Sequence, residues 1–178
     1  NKNWMAAHEP RLNHENFTDA INDLKPIIDQ EASDSAALDA TIELLVRSNR
    51  SLPMAKIITI PEAWAHRRDF PKKLKDLYAY ANAVMEPWDG PAGVVITDGR
   101  YAACTLDRNG LRPARYVIPK DRHITLASEV GVYNYQPEDV VEKGRLKPGQ
   151  MLAVDTQTGE LLMPEDINNM LKKAQPYR

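Results

Sequence analysis

One cysteine, Cys104, and four histidines, His8, His14, His66 and His123, are the side chains of this 178-residue chain best suited to nucleophilic or metal chemistry. Their spacing supports neither. The histidines are scattered, without ligand intervals to one another or to Cys104, whereas a metal site needs short, repeated spacings. They are expected at the surface or in capping roles. Cys104 falls in the middle of an alternating stretch, Tyr101 to Leu106, which makes it a small core residue rather than an exposed thiolate. Serine-centred nucleophile elbows and phosphate loops of the G-x-x-x-x-G-K-[ST] kind do not occur. Two polar clusters remain. Ser33-Asp34-Ser35 heads a helical pattern, and Ser33 or Asp34 is its natural N-cap, Asp34 being favoured from spacing alone. Asp107 to Arg115 reads as a tight, polar turn between strands, held by side-chain hydrogen bonds.

The elements that must carry these clusters can be traced by period. A short helix around Phe17 to Leu24 stops before Pro26. After Ser33, the residues Leu38, Ile42, Leu45 and Val46 line one helical face, and Asp39, Glu43 and Arg47 line the other. Ser51 to Pro61 is ambiguous, because Ile57-Ile58-Thr59-Ile60 would also suit a strand; a short helix closed by Pro61 is preferred. Asp69 is expected to cap a helix with Pro71 in its first turn and Leu74, Leu77, Tyr78, Ala81 and Met85 on its apolar face. Glu86-Pro87-Trp88-Asp89-Gly90-Pro91 breaks that pattern. Three hairpins follow: Gly93–Thr97 with Tyr101–Leu106 across Asp98-Gly99, Tyr116–Ile118 with Ile124–Ala127, and Met151–Val154 with Glu160–Leu162. A last helix has Pro164 at its start, Glu165 and Asp166 in its first turn, and Lys172 and Lys173 in its last, which suits the helix dipole. Helices, then antiparallel hairpins, then a helix, with no βαβ alternation, make an α+β layout.

Composition narrows the class of function. Hydrophobic residues make up 43% and charged residues 27%, a globular composition able to bury a core. Net charge is −2, from 23 basic and 25 acidic residues spread along the chain, so no basic stripe invites nucleic acid. A single cysteine excludes an internal disulfide framework. No apolar run has the length of a membrane span, and Asn1-Lys2-Asn3-Trp4 is not a signal peptide.

Longer strings carry more. Met85-Glu86-Pro87-Trp88-Asp89-Gly90-Pro91-Ala92 resembles a segment of glutamate synthases, and so does Thr105-Leu106-Asp107-Arg108-Asn109-Gly110-Leu111-Arg112-Pro113-Ala114-Arg115-Tyr116. Ala127-Ser128-Glu129-Val130-Gly131-Val132 and Lys143-Gly144-Arg145-Leu146-Lys147-Pro148-Gly149 follow in the family's order, and Ile60-Pro61-Glu62-Ala63-Trp64 precedes them in it. Asp107, Gly110, Arg112 and Pro113 also resemble the wider class II amidotransferase pattern D-x-x-G-x-R-P. Leu106, where many members of that class have Arg, favours glutamate synthases within it. The resemblance runs from Asn1 to Arg178.

What the resemblance implies is specific. The fold would be part of the four-layer α/β/β/α sandwich of N-terminal nucleophile hydrolases, with antiparallel sheets, and residues 1–178 a partial type 2 glutamine amidotransferase domain. In such enzymes an N-terminal cysteine attacks the side-chain amide of L-glutamine with its own α-amino group as base, and an Asn-Gly pair stabilises the oxyanion. Both are expected before this chain begins, so no catalytic residue is assigned within it. Asp34, in Ser33-Asp34-Ser35, matches the aspartate that binds the substrate α-ammonium, and Asp107, Gly110 and Arg112 are expected to shape the site. No cofactor is expected in this chain; FMN and an iron–sulfur cluster belong to the other domains of the parent polypeptide. Those domains, and a reductase subunit or ferredoxin as electron donor, are the implied partners, with no nucleic acid and no membrane. The implied compartment is the cytoplasm, or the plastid in a photosynthetic eukaryote. A start without Met, inside a family motif, points to a piece of a larger chain; the alternative is a stand-alone, non-catalytic binding module of the same descent.

Overall fold

The computed structural model describes residues 1–12, 17–174 and 177, and the helix expected around Phe17 to Leu24 therefore lies within it while His14 lies outside the described residues. The chain divides into two compact units, Asn1–Asp89 with Asn168–Arg178, and Gly90–Ile167. The first is helical and the second carries the strands.

The first unit begins with α1 (Lys2–His8), followed by a 3-10 turn at Glu9–Arg11, a second at Thr18–Ala20, and α2 (Ile21–Leu24). Next come α3 (Asp34–Arg47), which carries Asp34 at its head, and α4 (Leu52–Thr59), with α5 (Lys72–Val84) packed on α4. The α3 face forms as its period requires: Leu38, Thr41, Ile42 and Leu45 are buried, while Asp39, Glu43 and Arg47 face water. Thr41 and Thr59 return their hydroxyls to the carbonyls of Ala37 and Ala55, which lets both sit inside the core. All eight residues of α4 are buried, so the β-branched run Ile57-Ile58 packs on every side of a central helix instead of forming a strand. Tertiary burial overrides its β propensity there.

Asp69 does not cap α5. Its carboxylate is taken by Arg67 through Nε at 3.2 Å and Nη2 at 2.5 Å, and Pro71, in an extended conformation, occupies the N-cap position. The expected apolar face survives: Leu74, Leu77, Tyr78 and Ala81 are buried. Behind it lies a buried polar hub. Glu62 accepts from the Tyr78 hydroxyl at 3.2 Å, from Asn168 Nδ2 at 3.3 Å and, through its other oxygen, from Arg67 Nη1 at 3.2 Å. Lys56, buried in α4, feels the same carboxylate; burial drives its ammonium down to a pKa of about 8, and Glu62 pulls it partly back.

The second unit holds two antiparallel sheets. The strands are β1 (Gly93–Thr97), β2 (Tyr101–Leu106), β3 (Arg115–Pro119), β4 (Thr125–Ala127), β5 (Val140–Arg145), β6 (Met151–Asp155) and β7 (Glu160–Leu162). One sheet has the order β1-β2-β6-β7 and the other β4-β3-β5. The three expected hairpins are the local pairs β1/β2, β3/β4 and β6/β7. β5 and its pairing to β3, and the long-range pairing of β2 to β6, were not read from the sequence. A cluster of Cys104, Leu106, Ala114, Leu146 and Leu152, with Tyr116, Ile124, Leu126 and Leu161 against it, draws on both sheets and forms the unit's core. The chain closes with α6 (Pro164–Ala174), whose charge order is the one expected.

Candidate substrate-binding site

Ser33 and Asp34 share the head of α3 and divide its tasks. Ser33 is the N-cap, its Oγ accepting the Ala36 amide at 3.2 Å. That leaves the Asp34 carboxylate free of capping, about half exposed, and turned towards the start of the chain. The amide of Lys2 donates to its Oδ1 at 3.3 Å, and the backbone nitrogen of Asn1 lies 3.9 Å from Oδ2. The two acceptor oxygens thus sit on the first turn of a helix, where the dipole favours negative charge.

The segment entering α3 is held by residues that sequence reasoning passed over. The Lys2 ammonium donates to the carbonyls of Gln30 at 2.6 Å and Ala32 at 2.9 Å. Glu9, buried, accepts the amides of Ile27 at 3.0 Å and Ile28 at 2.8 Å through one oxygen. Asn1 uses both ends of its side chain on Asp89, its Oδ1 accepting the Asp89 amide at 2.8 Å and its Nδ2 donating to the Asp89 carbonyl. No periodic signal marks Lys2 or Glu9; their partners are backbone groups about 20 to 30 residues away, and backbone groups leave no trace in side-chain patterns.

Asp107 organises the other cluster, in the second unit. Its Oδ1 accepts the amides of Asn109 at 3.1 Å and Leu111 at 2.9 Å, and its Oδ2 those of Arg112 at 3.1 Å and Ala92 at 3.4 Å. Burial pushes this carboxyl upwards, but the four amides outweigh it and hold it below the usual range. Its carbonyl also accepts from Gly110 at 3.1 Å and Gly149 at 2.8 Å. Gly110 is needed twice over: its φ is +66°, and a Cβ there would stand 2.7 Å from Cγ of Pro148. Arg112 is exposed and, with Arg115, Arg145 and Lys147, lines a concavity of about 460 Å³. The loop is a scaffold held by backbone hydrogen bonds, with Arg112 as its outward charge.

The remaining chemical candidates are structural in their surroundings. Cys104 is buried in β2, and burial pushes its thiol up, away from the thiolate a nucleophile needs. His8, also buried, contacts Glu86 through Nε2; His123 Nδ1 lies 3.0 Å from Asp121; His66 is exposed. Among the described residues no group of three His, Cys, Asp or Glu side chains could hold a metal ion, and no helix is long and apolar enough to cross a membrane.

Comparison with known proteins matches the whole chain, residues 1–178, to the family described as glutamine amidotransferases class-II. The chain is 45% identical over 177 residues to the large chain of glutamate synthase [NADPH] from Azospirillum brasilense, covering 99% of this chain and 12% of that protein. It is 46% identical over 179 residues to ferredoxin-dependent glutamate synthase from Pyropia yezoensis, covering 99% and 12%. It is also 46% identical over 179 residues to glutamate synthase [NADH] from Saccharomyces cerevisiae, covering 100% and 8%. The chain therefore spans about a tenth of the length of these relatives.

Proposed function

We propose that this chain, which belongs to the class-II glutamine amidotransferase family, works within the glutamine-hydrolysing domain of a glutamate synthase. Its α+β fold, with two antiparallel sheets, accords with the layered N-terminal nucleophile hydrolase architecture of that family. In the complete enzyme, ammonia released from glutamine is consumed in the reductive amination of 2-oxoglutarate to glutamate. Asp34 binds the α-ammonium of glutamine, and Asp107, Gly110 and Arg112 take the shaping role that the family pattern D-x-x-G-x-R-P implies.

The observation that carries this reading is the division between Ser33 and Asp34. A carboxylate at the first turn of a helix, with the capping already supplied by its neighbour, is available to a cationic group. The attacking nucleophile comes from outside this chain, because its cysteine is buried and its thiol raised. The iron–sulfur cluster is likewise assigned to other domains, since a cluster needs several thiolates and this chain has one cysteine; FMN follows it there on the family resemblance alone. Identity is nearly the same to relatives named for NADPH, NADH and ferredoxin. That evenness supports a reading in which the electron donor is chosen elsewhere in the polypeptide.

The test is ammonia release from glutamine by the complete protein and by residues 1–178 alone. The complete protein should hydrolyse glutamine and couple it to glutamate formation. The isolated stretch should release none. Thiol-sensitive glutaminase activity in residues 1–178, or none in the complete protein, would overturn the assignment.

A further inference from the structure

Lys2 joins two things that substrate binding needs held together. Its ammonium donates to two carbonyls of the segment entering α3, Gln30 O at 2.6 Å and Ala32 O at 2.9 Å, while its own amide donates to Asp34 Oδ1 at 3.3 Å. We propose that Lys2 is a positioning residue for glutamine binding, fixing the Asp34 carboxylate by clamping residues 30–32 and the carboxylate to a single point on α1. This rests on the reading of Asp34 as the ammonium-binding residue.

The chemistry favours a lysine here. Asp34 is the first helical residue, so its Cα position depends on how the 29–33 turn delivers the chain to Ser33. That turn has some internal support, with Asp29 Oδ1 accepting the Glu31 amide at 2.8 Å and the Asp29 carbonyl accepting from Ala32 at 3.3 Å. The carbonyls of Gln30 and Ala32 are bound by Lys2. An ammonium offers three donors and no acceptor, so it can hold both carbonyls at once. Glu9 anchors the same segment four residues upstream through the amide of Ile28, but makes no bond to Asp34. Of the two anchors, only Lys2 reaches both the turn and the carboxylate. Displacement of a substrate-positioning group by about an ångström can cost about a hundredfold in function.

The experiment uses the complete enzyme, assayed with glutamine and separately with ammonia as nitrogen source. Lys2→Met should raise the KM for glutamine about tenfold, with kcat at saturating glutamine and the ammonia-dependent rate within about twofold of the parent. Lys2→Arg, which keeps a cation with several donors, should recover most of the loss. In an Asp34→Asn background, Lys2→Met should add little further, because both changes then act on one interaction. Three results would overturn the inference: an unchanged glutamine KM in Lys2→Met, full additivity with Asp34→Asn, or parallel loss of the ammonia-dependent rate, which would make Lys2 a general fold contact. If Asp34→Asn itself leaves the glutamine KM unchanged, it is the reading of Asp34 that fails, and the two failures are told apart.

Discussion

Ser33 Oγ accepts the amide of Ala36 at 3.2 Å while the neighbouring Asp34 directs its carboxylate to the amide of Lys2 at 3.3 Å. A cap and a carboxylate not used in capping therefore stand side by side on one helix turn, and they can be separated by substitution. Because Ser33 supplies the cap, capping does not account for Asp34 at this position.

Ser33→Ala should lower the thermal stability of the helical unit by about 1 kcal/mol, the usual cost of a lost N-cap, and leave the glutamine KM near its parent value. Asp34→Ala in the complete enzyme should do the reverse. Removing one partner of a partly desolvated ion pair costs on the order of 2–5 kcal/mol, so the glutamine KM should rise at least thirtyfold while ammonia-dependent synthesis persists. Steady-state kinetics and a melting curve on both variants check this. A destabilised Asp34→Ala with a normal KM would return the residue to a structural role.

The loop 107–112 should behave as a scaffold. Asp107→Ala leaves the amides of Ala92, Asn109, Leu111 and Arg112 without their acceptor, and a loss of roughly 2–4 kcal/mol is expected for hydrogen bonds to a charged group in a buried turn. Gly110→Ala combines a positive φ with a clash against Pro148 and should cost about 1–3 kcal/mol. Arg112→Ala, at an exposed side chain, should change stability by less than about 0.5 kcal/mol. Urea unfolding of the three variants gives the ranking.

Much of this architecture is legible along the chain, and the gaps have physical causes. Period 3.6 exposes α3 and α5, and Asp98-Gly99 marks the β1/β2 turn, because these signals are local. β5 reads Val140-Val141-Glu142-Lys143-Gly144-Arg145, mostly exposed at a sheet edge, so it shows no buried alternation to detect. Asp69 looks like a cap from its position before Pro71, but an arginine two residues earlier outcompetes the helix for its carboxylate. Among the proposed functional residues, Asp34 and Asp107 stand out as polar residues in recognisable strings. Lys2 and Glu9 do not, since they act on distant backbone groups.

Cys104 should be chemically silent. It lies in β2 opposite Val95 and Leu152, buried, with a raised thiol. A thiol-alkylating reagent should leave it unmodified in the folded chain and label it fully in denaturant. Cys104→Ser should leave turnover of the complete enzyme nearly unchanged, with a stability loss of about 1–2 kcal/mol from the buried hydroxyl. Rapid native labelling would mean the strand opens readily.

Stability should rise with pH between about 8 and 10, and Lys56 is the reason. Its folded pKa is lowered from the ordinary 10.5 to about 8, chiefly by burial, with Glu62 opposing the shift. Between those two values the unfolded chain binds a proton that the folded chain has released, so the slope of unfolding free energy with pH is positive. A displacement of this size corresponds to about 3 kcal/mol over the full window. Below pH 8 both states carry the ammonium, and the contribution is flat at its least favourable level. Tyr78 sets the upper limit. Burial, with Glu62 beside it, raises its hydroxyl well above the usual tyrosine range. Above about pH 10 the unfolded chain therefore loses a proton that the folded chain keeps, and stability turns down. The urea midpoint of this chain, measured from pH 7 to 11, should pass through a maximum near pH 10. In Lys56→Met the rise between pH 8 and 10 should vanish while the alkaline fall remains. A midpoint that is level from pH 7 to 10 in the parent chain would mean that Lys56 keeps its ordinary affinity for the proton inside the core.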